Sequence, residues 1–307
     1  MRVLVTGAGG FLGSGLARRL AATVPRLSRL TLTDRHFNAA DHDLAGADLK
    51  QGDLTDAGFL GTLLEPGFDV VFHLASLPGA QAEAEPEYGR KINLTLPMDL
   101  AWQTAARRPG ARFVFASSIG VYGAAAAEII SEATPTSPGL SYGSHKLMME
   151  ILLSDLTRRG ELSAVSLRFP GLVARPPAES GHGSAFMSQI FHKICAGEDF
   201  SSPVPPSARC WWMSRAAAVE TLLQASDLQS GAPTMLLAPA LRASMAEMVQ
   251  AIVAVVGRPA SIQWGKDTRL THLFGAMPDI DASLARGLGI AGDADLPSLA
   301  RAALSGD

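Results

Sequence analysis

The sequence predicts an α/β protein built on a doubly wound parallel sheet, with a smaller α/β region towards its C-terminal end. Three observations lead to this fold class. Short apolar runs alternate with segments of helical spacing over the first half, a glycine cluster follows the first run, and prolines cluster after Pro170. We therefore expect a sheet domain over residues 1–170 and a smaller region over residues 171–307, interleaved with it and not folding independently.

The predicted strands follow one another through the first half of the chain. They cover Val3–Thr6, Leu30–Thr33, Asp48–Gln51, Phe68–His73, Arg112–Ala116 and Val165–Phe169. Helical spacing is found over Phe11–Ala22 and around Ile92–Ala106. Beyond Pro170 we expect loops around short helices at Ser184–Ala196 and Met213–Ala225, because ligand-specific parts of α/β proteins are often loops on a rigid sheet.

Composition limits the class of protein. With 47% hydrophobic residues the 307-residue chain can build a large core, which excludes wholesale disorder. A net charge of -3 argues against a general electrostatic grip on nucleic acid or on an anionic membrane. Cys195 and Cys210 are too few for a disulfide framework, and the histidines and cysteines show no metal-ligand spacing. With no signal peptide or membrane helix in the pattern, we expect a globular cytoplasmic protein.

The glycine cluster reads Val-Thr-Gly-Ala-Gly-Gly-Phe-Leu-Gly, with glycines at Gly7, Gly10 and Gly13. Gly7 permits a tight turn, Gly10 lets the backbone approach a pyrophosphate, and Gly13 lets the helix pack closely. The helix that begins with Phe11 and Leu12 offers free N–H groups and a positive dipole end to phosphate oxygens. This strand-to-helix context predicts a dinucleotide site rather than a purely structural turn.

Acidic residues after the next two strands support the same site. Asp34 lies where a carboxylate bonds the adenosine ribose hydroxyls and repels a 2′-phosphate, which favours NAD over NADP. Arg35 is the opposing signal, because an arginine can hold that phosphate. Asp53 and Leu54 are predicted near the adenine. The alternatives are a turn residue for Asp34 and a helix N-cap for Asp53.

The strongest catalytic pattern joins a strand end to a helix. Two serines, Ser117 and Ser118, close the fifth predicted strand, and Tyr142 and Lys146 are spaced to share one face of a helix. A nearby ammonium stabilises phenolate, so the pKa of the tyrosine, ordinarily ~10, should fall. With Ser118 on the same substrate oxygen, the set could move a proton on or off a carbinol. The alternative is a pair on a solvated helix face.

These motifs, with Asp34 and the His73-Leu-Ala segment, resemble the extended short-chain dehydrogenase/reductase family, which includes NAD-dependent epimerases and dehydratases. The resemblance covers nearly all of the chain through Phe169. It implies a Rossmann domain, binding of NAD or NADP, of which Asp34 favours NAD, and Ser118, Tyr142 and Lys146 as catalytic residues. It also implies a homodimer, with Ser76 facing substrate and Lys146 bonding the nicotinamide ribose of the cofactor. Further cofactor contacts are implied at Leu74, Ala75, Asn93, Tyr142 and Pro170. His73 itself is interpreted as structural.

Longer segments resemble the D-erythronate dehydrogenase branch of that family, which oxidises the C2 hydroxyl of a four-carbon sugar acid with NAD. They include Ser117-Ser-Ile-Gly-Val-Tyr-Gly, Leu167-Arg-Phe-Pro, Pro203-Val-Pro-Pro and Trp211-Trp-Met-Ser-Arg. Dehydratases of the family carry an acid pair where this chain has Ile119 and Gly120, so elimination is disfavoured. Epimerases usually carry an aromatic-valine-Asp-Asp stretch where Trp212-Met-Ser-Arg stands here. A nucleotide-sugar epimerase or reductase remains the alternative enzyme, and an NAD(P)-sensing regulator the alternative of another class.

A sugar acid needs a cation for its carboxylate. Arg175, in the loop after the sixth predicted strand, is the first candidate, because a guanidinium matches a carboxylate bidentately. His182 and Arg209 are weaker candidates, and each of the three could instead be a solvated surface charge. Arg168, inside an apolar strand, is interpreted as structural. The smaller C-terminal region is accordingly expected to bind substrate.

Overall fold

The computed structural model describes residues 1–22, 28–38, 44, 46–123, 127–176 and 183–305. The chain divides into two units that it enters more than once. The first consists of Met1–Gly123, Pro138–Arg168 and Leu222–Leu236, and the second of Ala124–Ser137, Phe169–Thr221 and Leu237–Asp307. The boundary predicted at residue 170 lies beside one of these crossings, between Arg168 and Phe169.

Strands and helices alternate over the first half as the apolar runs predict. From the N-terminus the chain forms β1 (Arg2–Thr6), α1 (Phe11–Ala21), β2 (Arg29–Asp34), β3 (Ala47–Gln51), α2 (Ala57–Leu64), β4 (Val70–His73), α3 (Gly79–Ala84), α4 (Pro86–Arg90), a π-helical turn (Lys91–Thr95), α5 (Leu96–Arg107), β5 (Ala111–Ser118), a 3-10 turn (Ile119–Val121) and β6 (Ile129–Ile130).

The second half continues with a long helix and then with shorter elements. These are α6 (Ser141–Arg158), β7 (Leu162–Phe169), β8 (Gly171–Val173), α7 (Phe186–Ala196), β9 (Phe200–Ser202), β10 (Arg209–Ser214), α8 (Arg215–Ser226), β11 (Met235–Leu237), β12 (Leu241–Ser244), α9 (Met245–Val256), β13 (Ile262–Trp264), α10 (Thr268–Phe274), β14 (Asp279–Ile280), α11 (Ser283–Gly287) and α12 (Leu296–Ser305). Among the described residues, no helix is long and apolar enough to cross a bilayer.

The main sheet confirms the predicted fold class. In the described chain it has seven strands in the order β11-β7-β5-β4-β1-β2-β3. β1 pairs in parallel with both β2 and β4, and β2 with β3 and β4 with β5 pair in the same sense. Strand order therefore reverses at β1, and in open α/β sheets ligands bind at the carboxyl ends of the strands beside such a reversal.

A continuous apolar core holds the first unit together. Leu4, Val71, Phe113 and Phe115 on neighbouring strands are fully buried against Leu100, Met149 and Leu153 on the helices. These strands are buried along their length, as expected for parallel strands with helices on both faces. Each such side chain stabilises the fold by about 1.5–3 kcal/mol through burial, so the strand ends that carry the site rest on a rigid base.

The second unit has its own core and corrects one sequence prediction. A helix was expected over Met213–Ala225, but Met213 and Ser214 belong to β10, and the helix begins at Arg215. β10 pairs with β8 and β12, and Trp212 is fully buried with its Nε1 donating to the Ala243 carbonyl at 3.0 Å. A short apolar run fits a strand or a buried helix equally by pattern, and here the pairing partners decide.

Candidate active site

The loop between β1 and α1 is shaped by close backbone contacts that exclude side chains. Gly7 has φ of 70°, and a Cβ atom there would lie 2.6 Å from the backbone nitrogen of Ala75. A Cβ atom at Gly13 would lie 2.0 Å from the Gly7 carbonyl oxygen, so α1 approaches the loop only through glycine. Gly10 is exposed. The loop therefore presents bare backbone, which suits the close approach of a pyrophosphate.

The start of α1 is equipped to bind a phosphate. Gly10 is the N-cap residue, and within the described chain no side chain caps this helix and no acidic residue lies in its first turn. Phe11 and Leu12 open the helix and are half-buried. No acidic side chain in the first turn of α1 therefore neutralises the positive end of the helix dipole. A helix N-terminus that binds an anion needs this end to be free.

The Asp34 carboxylate is fixed beside this loop at the end of β2. Its Oδ2 accepts a hydrogen bond from the Gly9 backbone nitrogen at 3.0 Å, and its Oδ1 accepts one from the Arg35 backbone nitrogen at 2.7 Å. A carboxylate offers about four acceptor positions, so these bonds orient the group and leave capacity for hydroxyl donors. The arrangement fits the ribose of an adenine nucleotide.

After β3 the structure distinguishes the roles of two aspartates. Asp53 is exposed, and its Oδ1 accepts from the Thr55 backbone nitrogen at 2.8 Å. The N-cap of α2 is Asp56, whose Oδ1 accepts from two backbone N–H groups of the first helical turn. The N-cap alternative considered for Asp53 is therefore wrong. Leu54 is 6% exposed and belongs to the core, so little of it is accessible to a nucleotide.

The end of β4 is tied to the end of β1. Thr6 Oγ1 and His73 Nδ1 are 2.8 Å apart, and the backbone nitrogens of Leu74 and Ala75 donate to the same hydroxyl at 3.3 and 3.4 Å. Burial lowers the pKa of His73 to about 3, with the Lys146 charge acting in the same direction. His73 is thus neutral near pH 7, in agreement with its structural interpretation.

Asn93 holds the loop that follows β4. Its Oδ1 accepts from the Leu77 backbone nitrogen at 2.7 Å and from Ser76 Oγ at 3.0 Å, and its Nδ2 donates to the Leu77 carbonyl at 3.0 Å. Asn93 is buried in the π-helical turn, a local irregularity that recurs at functional sites. The predicted cofactor residue Asn93 therefore positions the segment that carries Leu74, Ala75 and the exposed Ser76.

Ser118 and Tyr142 converge on one glycine. Ser118 ends β5, and its Oγ accepts from the Gly120 backbone nitrogen at 3.0 Å, a bond that does not use the hydroxyl hydrogen. A Cβ atom at Gly120 would lie 3.4 Å from Ser118 Oγ and 3.7 Å from Tyr142 Cδ1. The two predicted catalytic side chains therefore flank the same small space, and both are partly accessible.

Lys146 lies one helical turn further along α6 and is 3% exposed. Its Nζ donates to the Ala116 carbonyl at 2.8 Å and lies 5.4 Å from the centre of the Tyr142 ring. Burial lowers the pKa of its ammonium to about 7, against the opposing effect of the Glu150 charge. The predicted face-sharing of Tyr142 and Lys146 is confirmed, and the pair is not on a solvated helix face.

A buried ion pair next to these predicted catalytic residues was not predicted from the sequence. Glu150 follows Lys146 by one more turn of α6 and pairs with Arg168, with Nη2 to Oε2 at 2.6 Å and both side chains about 5% exposed or less. Ser117 Oγ donates to Glu150, and Arg168 Nη1 donates to the Tyr122 hydroxyl at 2.8 Å. The spacing of four residues from Lys146 to Glu150 was the signal in the sequence that could have placed Glu150 on the same helix face. Arg168 is structural, as interpreted.

The remaining predicted residues belong to the second unit. Pro170 is buried directly after β7. Arg175 is half-buried: its backbone nitrogen donates to Ser188 Oγ on α7 at 3.0 Å and its Nε donates to the Leu172 carbonyl at 3.4 Å. Arg209 is exposed and lies 3.7 Å from a Glu247 carboxylate oxygen. His182 lies outside the described residues. No group of three or more His, Cys, Asp or Glu among the described residues could hold a metal ion.

Comparison with known proteins identifies the class and then the family. A glycine loop and an acidic strand end at a sheet reversal mark a dinucleotide-binding protein. The sequence model of the NAD dependent epimerase/dehydratase family matches residues 3–211, and the chain belongs to this family. It is an NAD-dependent oxidoreductase. The family match confirms the resemblance to the extended short-chain dehydrogenase/reductase family and confirms NAD as the cofactor.

Individual relatives extend the match over the chain. A D-erythronate dehydrogenase of Cupriavidus necator is 31% identical over 98% of this chain and 97% of its own length. One from Haemophilus influenzae is 30% identical over 75% and 73% of the two chains. A crystal structure of a nucleoside-diphosphate-sugar epimerase from Agrobacterium tumefaciens superposes with a TM-score of 0.90 at 28% identity, covering 100% of this chain and 95% of the other.

Proposed function

We propose that this enzyme oxidises the C2 hydroxyl of a short sugar acid with NAD, converting D-erythronate to 2-oxo-erythronate. The observation that carries the proposal is that Ser118 and Tyr142 flank one small space at the carboxyl edge of the sheet, with the buried Lys146 ammonium 5.4 Å from the centre of the Tyr142 ring. The two dehydrogenase relatives, similar over most of the chain, support the substrate class. We also propose that the enzyme is cytoplasmic and that it forms a homodimer. Analytical ultracentrifugation would test the oligomeric state.

Tyr142 acts as the base in this mechanism. Its phenolate takes the proton of the C2 hydroxyl while the C2–H bond breaks and a carbonyl forms. NAD, when bound, supplies the acceptor for the hydride, so that the products are the 2-oxo acid, NADH and one proton. Ser118 donates its hydroxyl hydrogen to the same substrate oxygen and keeps it beside Tyr142. A base held in this way contributes ~10²–10⁴-fold to the rate.

Lys146 keeps the tyrosine ready for that task. Its amino group is anchored by the Ala116 carbonyl at 2.8 Å and has little contact with solvent, so in the protonated form its charge acts on the phenol through a medium of low polarity. A cation 5.4 Å from the centre of the tyrosine ring favours the phenolate. The buried Glu150–Arg168 pair lies one turn below and fixes α6 against β7. Lys146 is thereby held in position without being neutralised by a direct ion pair with Glu150.

Arg175 is the proposed partner of the substrate carboxylate. An anionic substrate withdrawn from water needs a cation, because an unpaired charge is costly. Arg175 stands on a backbone that α7 fixes at two points, since His192 Nε2 lies 2.6 Å from the Arg175 carbonyl oxygen in addition to the Ser188 bond. A guanidinium on a fixed backbone suits bidentate binding. Arg209 is a weaker choice, because Glu247 lies close to it.

A nucleotide-sugar epimerase is the second candidate, and the Agrobacterium relative favours it by its name. The two activities are separated by assaying the purified enzyme with NAD against a panel of four- to six-carbon sugar acids and against UDP-sugars, following NADH absorbance and sugar configuration. We expect NADH from D-erythronate and no interconversion of UDP-glucose and UDP-galactose. Tyr142→Phe is the control, and it should abolish either signal. Epimerisation of the UDP-sugar without net NADH would overturn the proposal.

A further inference from the structure

Arg35 is held by hydrogen bonds at both ends of the residue. Its backbone nitrogen donates to Asp34 Oδ1 at 2.7 Å, and its Nη1 donates to the Tyr88 hydroxyl at 2.6 Å. Tyr88 belongs to α4, more than fifty residues further along the chain. The guanidinium at the end of β2 is therefore tied to α4 and does not sample freely the space around the Asp34 carboxylate.

The Asp53 carboxylate interacts electrostatically with the Arg35 guanidinium. Burial acts to raise the pKa of Asp53, but hydrogen bonds from Thr55 and the positive charges of Arg35 and Lys91 outweigh it and lower the pKa. Arg35 thus interacts favourably with the Asp53 carboxylate while its Nη1 bonds to Tyr88. One guanidinium nitrogen of Arg35 is therefore engaged by Tyr88, and its positive charge is shared with Asp53.

The position of this guanidinium matters because NAD and NADP differ by a phosphate on the adenosine ribose. After the second strand of such a sheet, a carboxylate favours the free hydroxyls of NAD and an arginine accommodates the 2′-phosphate of NADP. Asp34 and Arg35 are adjacent, so the chain carries both groups at one strand end. The Gly9 backbone nitrogen already fixes the Asp34 carboxylate, so a residue that fixes the Arg35 side chain influences which of the two groups acts on the cofactor.

We propose that Tyr88 is a positioning residue for cofactor choice: by accepting the Arg35 hydrogen bond it holds the guanidinium away from a 2′-phosphate and leaves the selection to Asp34. Tyr88 acts through Arg35. The proposal concerns the cofactor alone, so it holds or fails independently of the sugar-acid substrate. Loss of the hydroxyl should release Arg35 towards the phosphate, and binding of NADP should strengthen while binding of NAD changes little.

The test is the affinity of Tyr88→Phe for the two cofactors, measured by isothermal titration calorimetry without substrate. The Kd for NADP should fall by about fivefold, the equivalent of one hydrogen bond of about 1 kcal/mol. The Kd for NAD should stay within about twofold, since no proposed NAD contact is removed. The gain for NADP should vanish when Tyr88→Phe is combined with Arg35→Ala. Tyr88→Leu, which also lacks the hydroxyl, should act in the same direction.

Tyr122→Phe is the matched control, because the Tyr122 hydroxyl also accepts from an arginine, Arg168, at 2.8 Å. It should lower the melting temperature and leave the ratio of the two Kd values unchanged. An unchanged or weaker affinity of Tyr88→Phe for NADP would overturn the proposal, and the weaker value would mean that Tyr88 presents Arg35 to the phosphate. A gain that persists without Arg35 would overturn it as well.

Discussion

Replacing Gly143 by alanine adds one methyl group between α6 and the 3-10 turn that follows β5. The new Cβ atom would lie 2.3 Å from the Gly120 carbonyl oxygen, 2.9 Å from the Gly120 carbonyl carbon and 3.0 Å from Pro138 Cβ. Ordinary contact begins at 3.4 Å, so α6 and the turn must separate by about 1 Å. Backbone on both sides of the contact gives the methyl group little room.

This separation changes the distance between the two groups that hold the substrate oxygen. Gly120 lies beside both Ser118 and Tyr142, and Tyr142 directly precedes the substituted position. A misplacement of about 1 Å can cost about 100-fold in rate. We therefore expect Gly143→Ala to lower kcat/KM for the sugar acid by about 100-fold. The Kd for NAD should be nearly unchanged, because the glycine loop and Asp34 are untouched.

The assay is steady-state NADH formation together with thermal denaturation. Gly61→Ala is the matched control: Gly61 lies in α2, a Cβ atom there meets nothing within 4 Å, and alanine should stabilise the helix by about 1 kcal/mol or less. That variant should keep full activity. The reasoning is refuted if Gly143→Ala folds and keeps kcat/KM within about threefold of the wild-type value, because misalignment should cost far more. In that case the close approach of α6 to the turn does not align Ser118 and Tyr142.

Other substitutions separate the base, the cofactor residues and the substrate residue. Tyr142→Phe should lower kcat by ~10²–10⁴-fold and preserve the Kd for NAD; near-normal turnover would refute its role. Asp34→Ala should bring kcat/KM for NAD and NADP closer together, and a wild-type preference for NADP would refute this reasoning. Arg175→Ala should raise KM for the acid by about 10- to 100-fold and for an uncharged polyol much less; equal losses would mean that Arg175 only shapes its loop. Lys146 has a pKa of about 7 in the folded enzyme against an ordinary value of 10.5. At pH values between these two pKa values Lys146 is protonated in the unfolded chain and mostly neutral in the folded enzyme. The free energy of unfolding should therefore rise with pH by up to about 1.4 kcal/mol per pH unit. Urea titrations of Lys146→Met should lack this rise, and profiles parallel to the wild type would contradict it.

Sequence patterns predicted the first half of the fold well because most of its strands are buried apolar runs bounded by turn residues. β1, β2 and β3 fall within one or two residues of their predicted bounds. β5 runs on to Ser118, two residues past the predicted bound at Ala116, and both serines close the strand as expected. β11 has only three residues and was missed, because a run of that length carries no measurable periodicity.

The candidate site was predictable where its residues are close in sequence and not where they meet across the fold. Tyr142 and Lys146 could be paired because helix geometry relates positions four apart. The contacts of Arg35 with Tyr88 and of Glu150 with Arg168 join distant segments. Helical spacing could place Glu150 on the face of Lys146, but no sequence pattern indicates which residue it pairs with. Asp53 and Asp56 both resemble a helix N-cap in sequence, and only the hydrogen bonds show that Asp56 fills that role.

The central claim is that Tyr142 removes the C2 hydroxyl proton of a sugar acid as the C2 hydride leaves for NAD. It is tested most directly by incubating the enzyme with NAD and D-erythronate deuterated at C2, and examining the NADH by mass spectrometry. We predict that the NADH carries the deuterium and that the rate falls relative to unlabelled substrate. Tyr142→Phe should form almost none. Unlabelled NADH from the C2-deuterated acid, or no NADH from any short sugar acid, would contradict the assignment.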